Sequence, residues 1–218
     1  MKRKTVFIGA AILLLLVFLI GTLVYKSERI DQSAQLAERN RTNLIRMHSP
    51  ALGKPEATVV IVEFFDPACE TCREFYPLVK KLMAADRERI RLVLRYAPFH
   101  KGSDKVVAVL EAARKQGKFW PTLEALFASQ ADWAPHHQPQ VALVWPHLEG
   151  LGLNLEQLKA DMTAPEIAQV IAQDLDDARA LNVTKTPEYF VNGRPLPSFG
   201  YEQLKKLVED ALNEAQQR

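Results

Sequence analysis

Two cysteines separated by two residues, Cys69-Glu70-Thr71-Cys72, follow an apolar run, Val59–Phe65, and a bend at Asp66-Pro67-Ala68, and a helical pattern continues from them past Pro77. This stretch restricts the chain more than any other, because the β-branched and aromatic run reads as a strand buried on both faces, as in a sheet covered by helices. The cysteines are the only two in 218 residues, and they open the helix. Two thiols at that spacing can close into a small disulfide, and the positive end of a helix favours thiolate on the first sulfur. Half a zinc site and two inert thiols are the competing readings. A closed structural zinc site needs four ligands, and the sequence offers no second Cys or Cys/His pair. Redox chemistry at Cys69 and Cys72 is the expectation, with Glu70 and Thr71 between them placed to modulate it.

Glu63 interrupts the apolar strand. Either it faces water at the strand end, or its carboxyl exchanges protons with the thiols. Beyond the cysteines, Phe75, Leu78, Val79, Leu82 and Met83 keep one apolar helical face, and Pro77 is expected to bend that helix. Ile90–Tyr96 reads as the next strand and completes a β-α-β unit with a right-handed crossover. Residues 104–181 follow a helical pattern broken at Gly117, Pro121, 135–139, Pro146, Gly150, Gly152 and Pro165. They read as a helical insertion between two halves of an α/β sheet, with Trp120, Phe127, Trp133 and Trp145 as its core. Residues 188–196 read as a strand, an Asn192-Gly193 hairpin turn and a return strand, and a final helix from Tyr201 to about Ala215 covers the sheet. His100, His136, His137 and His147 read as solvent-exposed loop histidines, so neither a metal site nor a cofactor is expected.

At the amino terminus Lys2-Arg3-Lys4 precedes an uncharged, mainly apolar run over 6–24, long enough at helical rise to cross a hydrocarbon core. No small-x-small cleavage site follows, so residues 1–25 are expected to be an uncleaved signal anchor. Basic residues before the run and mixed charges after it put the amino terminus in the cytoplasm and the rest of the chain outside. There a dithiol persists in its disulfide form. Residues 26–51 form a polar, helix-prone stalk or linker. Ile30, Ala37 and Leu44 recur at seven-residue spacing, which allows self-association through the stalk, although two heptads favour a solvated spacer. Pro50, Gly53 and Pro55 mark the entry to the folded domain. A net charge of +2 with interspersed signs gives no electrostatic case for nucleic acid.

Glu63-Phe64-Phe65, the Cys69/Cys72 pair, and Thr186-Pro187 before Tyr189-Phe190-Val191-Asn192-Gly193 together resemble the thioredoxin fold. More specifically, they resemble the DsbA-like thiol:disulfide oxidoreductases with a helical insertion, near the suppressor-of-copper-sensitivity group. The resemblance implies an α/β, thioredoxin-like domain over 52–218 with an all-helical insertion at about 104–181; the single transmembrane helix expected ahead of it, read from the apolar run, is a departure from the many relatives that are soluble after signal removal. The resemblance also implies that Cys69 attacks or is attacked, that Cys72 resolves the mixed disulfide, that the Thr186–Pro187 peptide is cis and faces the cysteines, and that Glu63 is the family's buried acid. Glu70-Thr71 stands where strong oxidants of the family carry Pro-His or Pro-Tyr, so redox strength does not carry over.

The expectation is a single-pass protein of the bacterial inner membrane with its catalytic domain in the periplasm. It would exchange disulfides with extracytoplasmic protein thiols and be recycled by a redox partner. A membrane-tethered copper(I) metallochaperone using the same two cysteines is the alternative, since soft thiolates suit that ion.

Overall fold

The computed structural model describes residues 13–22, 35, 38, 40 and 42–217. Residues 13–22 are helical and expose apolar side chains such as Leu14 and Phe18. No helix among the described residues is long and apolar enough to cross a membrane. The span expected over 6–24 and the stalk expected over 26–51 each lie only partly within them.

Five strands form one sheet in the order β1-β3-β2-β4-β5: β1 (Ala51–Leu52), β2 (Val59–Phe65), β3 (Ile90–Tyr96), β4 (Glu188–Val191) and β5 (Arg194–Pro195). Strands β2 and β3 pair in parallel from Val59↔Ile90 to Phe65↔Tyr96, joined by helix α1 (Glu70–Ala85). Strand β4 lies antiparallel to β2 and turns through Asn192-Gly193 into β5. Helix α1 continues through Pro77.

Strand β1 occupies part of the expected linker. It pairs antiparallel with β3, and the chain leaves it through Gly53 at φ 103°. A Cβ there would lie 2.8 Å from the Ile90 carbonyl oxygen, so the close approach of the two backbones requires glycine.

The insertion consists of α2 (Ser103–Lys115), α3 (Phe119–Ala128), α4 (Gln130–Trp133), three 3-10 turns (Pro135–His137, Val141–Leu143, Trp145–Leu148), α5 (Leu155–Asp161) and α6 (Pro165–Ala180). Phe127 and Trp133 belong to its core, and the Trp133 indole donates to the Leu126 carbonyl at 2.9 Å. Trp120 and Trp145 are half-buried and pack against that core from its edge, and Lys159 lies over the Trp145 ring. Helix α7 (Tyr201–Gln216) closes the chain.

Alternation along the strands divides the buried residues between two faces of the sheet. Val59, Ile61, Phe65, Leu92 and Leu94 pack with α1, α2 and α7. Val62, Phe64, Val93 and Phe190 form the other layer with Ala178 at the end of α6, Val183 beyond it, and Leu44. On this second face Arg95 is fully buried over the Phe64 ring and pairs with Asp174 and Asp177 of α6 at 2.7 and 2.6 Å. Arg46 and His48 complete the cluster, reaching Asp177 and Asp174 respectively at 2.6 Å. Residues 44–48 are therefore part of the folded body, and not a solvated spacer.

Candidate active site

Helix α1 begins with Cys69 as its N-cap, at φ −76° and ψ 118°, and the Cys69 sulfur accepts from the Cys72 amide at 3.4 Å. A sulfur at this position meets the unpaired amides and positive dipole end of the first turn. Its thiol also points at the Thr186 carbonyl, 3.3 Å away, and the Thr186–Pro187 peptide bond is cis. Three separate stretches thus converge on one sulfur: the bend after β2, the first turn of α1 and the loop before β4.

The two thiols differ electrically. The Cys72 thiol beside it holds Cys69 down to about 6, with Thr186 and the Cys72 and Thr71 amides adding to this and burial opposing it. Cys72 has no exposed surface, and burial first, then its bond to Cys69 and the charge of Glu63, raises it well above an ordinary thiol. Both cysteines are free.

Glu63 is buried in β2 instead of facing water at the strand end, with Leu94 and Tyr189 as its neighbours across the sheet. Burial pushes its carboxyl up to about 8, and the Tyr189 hydroxyl, near but outside hydrogen-bonding geometry, offsets only part of this. Charge on Cys69 pushes it further in the same direction. Of the two residues between the cysteines, Thr71 turns its amide to the Cys69 sulfur, and Glu70 is the half-buried first residue of α1.

A second set of residues surrounds the bend before Cys69. Asp66 is fully buried and accepts from the Ala68 amide at 2.8 Å, the His100 amide at 2.8 Å, His100 Nδ1 at 2.7 Å and the Ser103 hydroxyl. Gln130, from α4, donates through Nε2 to the carbonyls of Pro67 at 2.8 Å and Cys69 at 3.1 Å. His137 Nδ1 lies 3.2 Å from the Ala68 carbonyl, and its ring stacks on His100 with centroids 4.8 Å apart. Since a carbonyl only accepts, His137 is the donor.

His100 and His137 are half-buried in the site, which corrects their reading as exposed loop residues, while His136 does face solvent. Asp66 and Gln130 carry no local sequence signal. The adjacent histidines between prolines were the one available clue: both take positive φ, 52° and 59°, a turn that swings the second ring inward. Among the described residues no group of three or more His, Cys, Asp and Glu side chains could hold a metal ion.

A family model described as Thioredoxin matches residues 46–210. A thioredoxin-like oxidoreductase from Silicibacter pomeroyi DSS-3 superposes with a TM-score of 0.68 at 34% identity, covering 82% of this chain and 98% of that one. The Probable disulfide bond formation protein D of Bacillus anthracis is 28% identical over 221 residues, covering 97% of this chain and 98% of that protein. The Na(+)/H(+) antiporter NhaA 3 of Salinispora tropica is 34% identical over 145 residues, 65% of this chain, which spans only 21% of that relative's length.

Proposed function

The chain belongs to the thioredoxin family, whose model covers residues 46–210, and from that premise we propose that it is a protein thiol–disulfide oxidoreductase working through Cys69 and Cys72. The observation that carries this reading is the inequality of the two sulfurs. One is held near 6 at a helix start beside the Thr186 carbonyl, and the other is sealed beneath it and kept protonated. That division suits an attacking and a resolving thiol. It suits copper(I) coordination by two thiolates less well, because such a site must deprotonate both sulfurs.

In the reducing direction the Cys69 thiolate attacks one sulfur of a substrate disulfide, forming a mixed disulfide and releasing the other sulfur as thiolate. Cys72 then gives its proton to the Glu63 carboxylate and attacks the Cys69 sulfur. The protein disulfide forms, the mixed disulfide breaks, and two electrons have passed to the substrate. Run backwards, a substrate thiolate opens the Cys69–Cys72 disulfide and protonated Glu63 supplies the proton to the departing Cys72 thiolate. A carboxyl near 8 is populated in both forms around neutral pH, as either direction requires. The loop carrying Thr186 and Pro187 lies over the reacting sulfur and offers backbone against which an extended substrate can lie.

The same reading places the domain outside the bacterial inner membrane, in the periplasm, tethered by a single span over 6–24. It would serve extracytoplasmic protein thiols and be recycled by a redox partner, and the stalk would allow self-association. The basic residues ahead of the apolar run and the redox demands of the cysteine pair support this.

Substitution of Cys72 by serine tests the catalytic core of the proposal. With a peptide disulfide as substrate, Cys72→Ser is expected to accumulate a mixed disulfide at Cys69 that non-reducing electrophoresis and mass spectrometry detect, while Cys69→Ser forms none. Absence of exchange by the unsubstituted protein would overturn the reading.

A further inference from the structure

Three consecutive carbonyls in the bend before α1 are each bound by a side chain of the insertion: Pro67 and Cys69 by Gln130, and Ala68 by His137. Backbone carbonyls in a turn ordinarily find solvent or a local partner. Here the partners lie more than sixty residues away in sequence, on a short helix and a 3-10 turn that occur between β3 and β4. Gln130 is 1% exposed, and its amide nitrogen bridges the carbonyls on either side of Ala68. On the opposite flank, the Asp66 carboxylate binds the Ala68 amide and holds His100, on which the His137 ring is stacked. The bend is thus gripped from both sides, and both grips meet in the two histidines.

The location of this grip gives it a chemical role. Cys69 is the N-cap, so its backbone angles decide whether its sulfur faces the amides of Thr71 and Cys72. Its carbonyl accepts both the first turn's bond from the Arg73 amide at 3.2 Å and the Gln130 amide. Thiolate stabilisation by amides requires donors already aimed at the sulfur before charge develops on it. We propose that Gln130 and His137 are positioning residues for thiol–disulfide exchange: they fix the bend that presents the Cys69 sulfur to the helix amides, and thereby set how oxidising the cysteine couple is. This rests on the reading that Cys69 is the exchanging thiol.

Loss of either donor leaves the bend freer and the thiolate less well solvated by amides. The dithiol form loses stability relative to the disulfide, and the couple becomes less oxidising. The test equilibrates the full-length, detergent-solubilised protein with reduced and oxidised glutathione: Cys69–Cys72 disulfide plus two glutathione thiols gives the dithiol plus glutathione disulfide. Gln130→Met keeps the side-chain length and removes the donor. His137→Phe keeps a ring to stack on His100 and removes the donor, while His137→Asn keeps a donor and tolerates the positive φ.

Gln130→Met is expected to shift the glutathione equilibrium about fivefold toward the protein disulfide, roughly 20 mV. The Cys69 thiolate titration followed at 240 nm should move up by a matching fraction of a unit. His137→Phe should move both readouts the same way by about threefold, and His137→Asn should return them to wild type. A role in folding alone would lower the melting temperature and leave the equilibrium constant unchanged. If Gln130→Met does not fold, the two His137 variants decide. Failure of the unsubstituted protein to exchange with glutathione removes the functional reading itself. Exchange by the wild type, with folded variants at the wild-type equilibrium constant, removes only the positioning role.

Discussion

Glu63 of β2 and Tyr189 of β4 sit directly opposite one another across an antiparallel pair, both buried and both close enough to the cysteines to feel their charge. The first consequence concerns stability. A carboxyl raised from 4.5 to about 8 binds its proton more tightly in the folded state, so its contribution is fully present below 4.5 and is lost as pH rises through 8. In the disulfide form, where no thiol titrates, urea unfolding should show stability falling by about 3–5 kcal/mol across that window. Glu63→Gln should flatten the profile there, and a wild-type profile already flat between pH 5 and 8.5 would refute the assignment. The same variant should slow resolution of the mixed disulfide at least about tenfold at neutral pH.

The Cys69 thiol gives the opposite slope. Cys69 is lowered from 9.0 to about 6, so its stabilisation of the reduced protein is present above 9 and disappears as pH falls through 6. The reduced form should therefore gain on the disulfide form as pH rises from 6 to 9. Iodoacetamide should modify Cys69 with a midpoint near 6, while Cys72 in a Cys69→Ser background should stay slow to well above pH 9. Equal alkylation of both sulfurs at pH 7 would contradict the inequality on which the mechanism depends.

Glu70 adds a negative charge at the first residue of the helix, one position from Cys69. An ionised carboxylate there disfavours a neighbouring thiolate, and solvent screening at a half-buried site keeps the effect modest. Glu70→Gln is expected to lower the Cys69 midpoint by a few tenths of a unit, about a doubling of the oxidising equilibrium constant against glutathione. Absorbance at 240 nm against pH reads the shift, and an upward movement would reverse the sign argued here.

The ion cluster beneath the second face of the sheet is a further target. Asp174 meets Arg95, His48 and the Tyr96 amide, so removing it leaves a guanidinium with no exposed surface short of a counter-charge. Asp174→Ala should cost about 3–5 kcal/mol in urea unfolding, because an uncompensated buried charge is far more costly than the loss of a surface pair. Arg46, one third exposed in its side chain, should cost about 1 kcal/mol when changed to alanine. Comparable small losses from both would mean that the interior of the cluster is better hydrated than its burial indicates.

Much of this was legible in sequence where the signal was local. The mainly apolar runs of β2 and β3, each seven residues long and broken only by Glu63 in the first and by Arg91 and Arg95 in the second, and the Asn192-Gly193 turn define themselves by composition. The cysteine pair carries its own spacing. Strand β1 spans two residues, too few to establish any period, and was hidden among linker-like Pro50, Gly53 and Pro55. Glu63 could be read as buried or exposed until the neighbouring strands were in place. Gln130, His137 and Asp66 are invisible to any windowed reading, because each acts on a backbone atom or ring brought near only by the fold.

The Arg46 and His48 contacts also bear on where an autonomous unit of this chain begins. Sequence punctuation puts that boundary at about residue 52, yet a fragment cut there would lack Leu44 from its apolar layer, Ala51 from the edge of the sheet, and the Arg46 guanidinium and His48 ring that face Asp177 and Asp174. Phe64, Val93 and Ala97 would lose part of their cover. A fragment starting a few residues before Leu44 keeps these contacts. For expression of a truncated domain, the start site thus decides whether the sheet's second layer is sealed or left open as a sticky face, the ordinary route to aggregation.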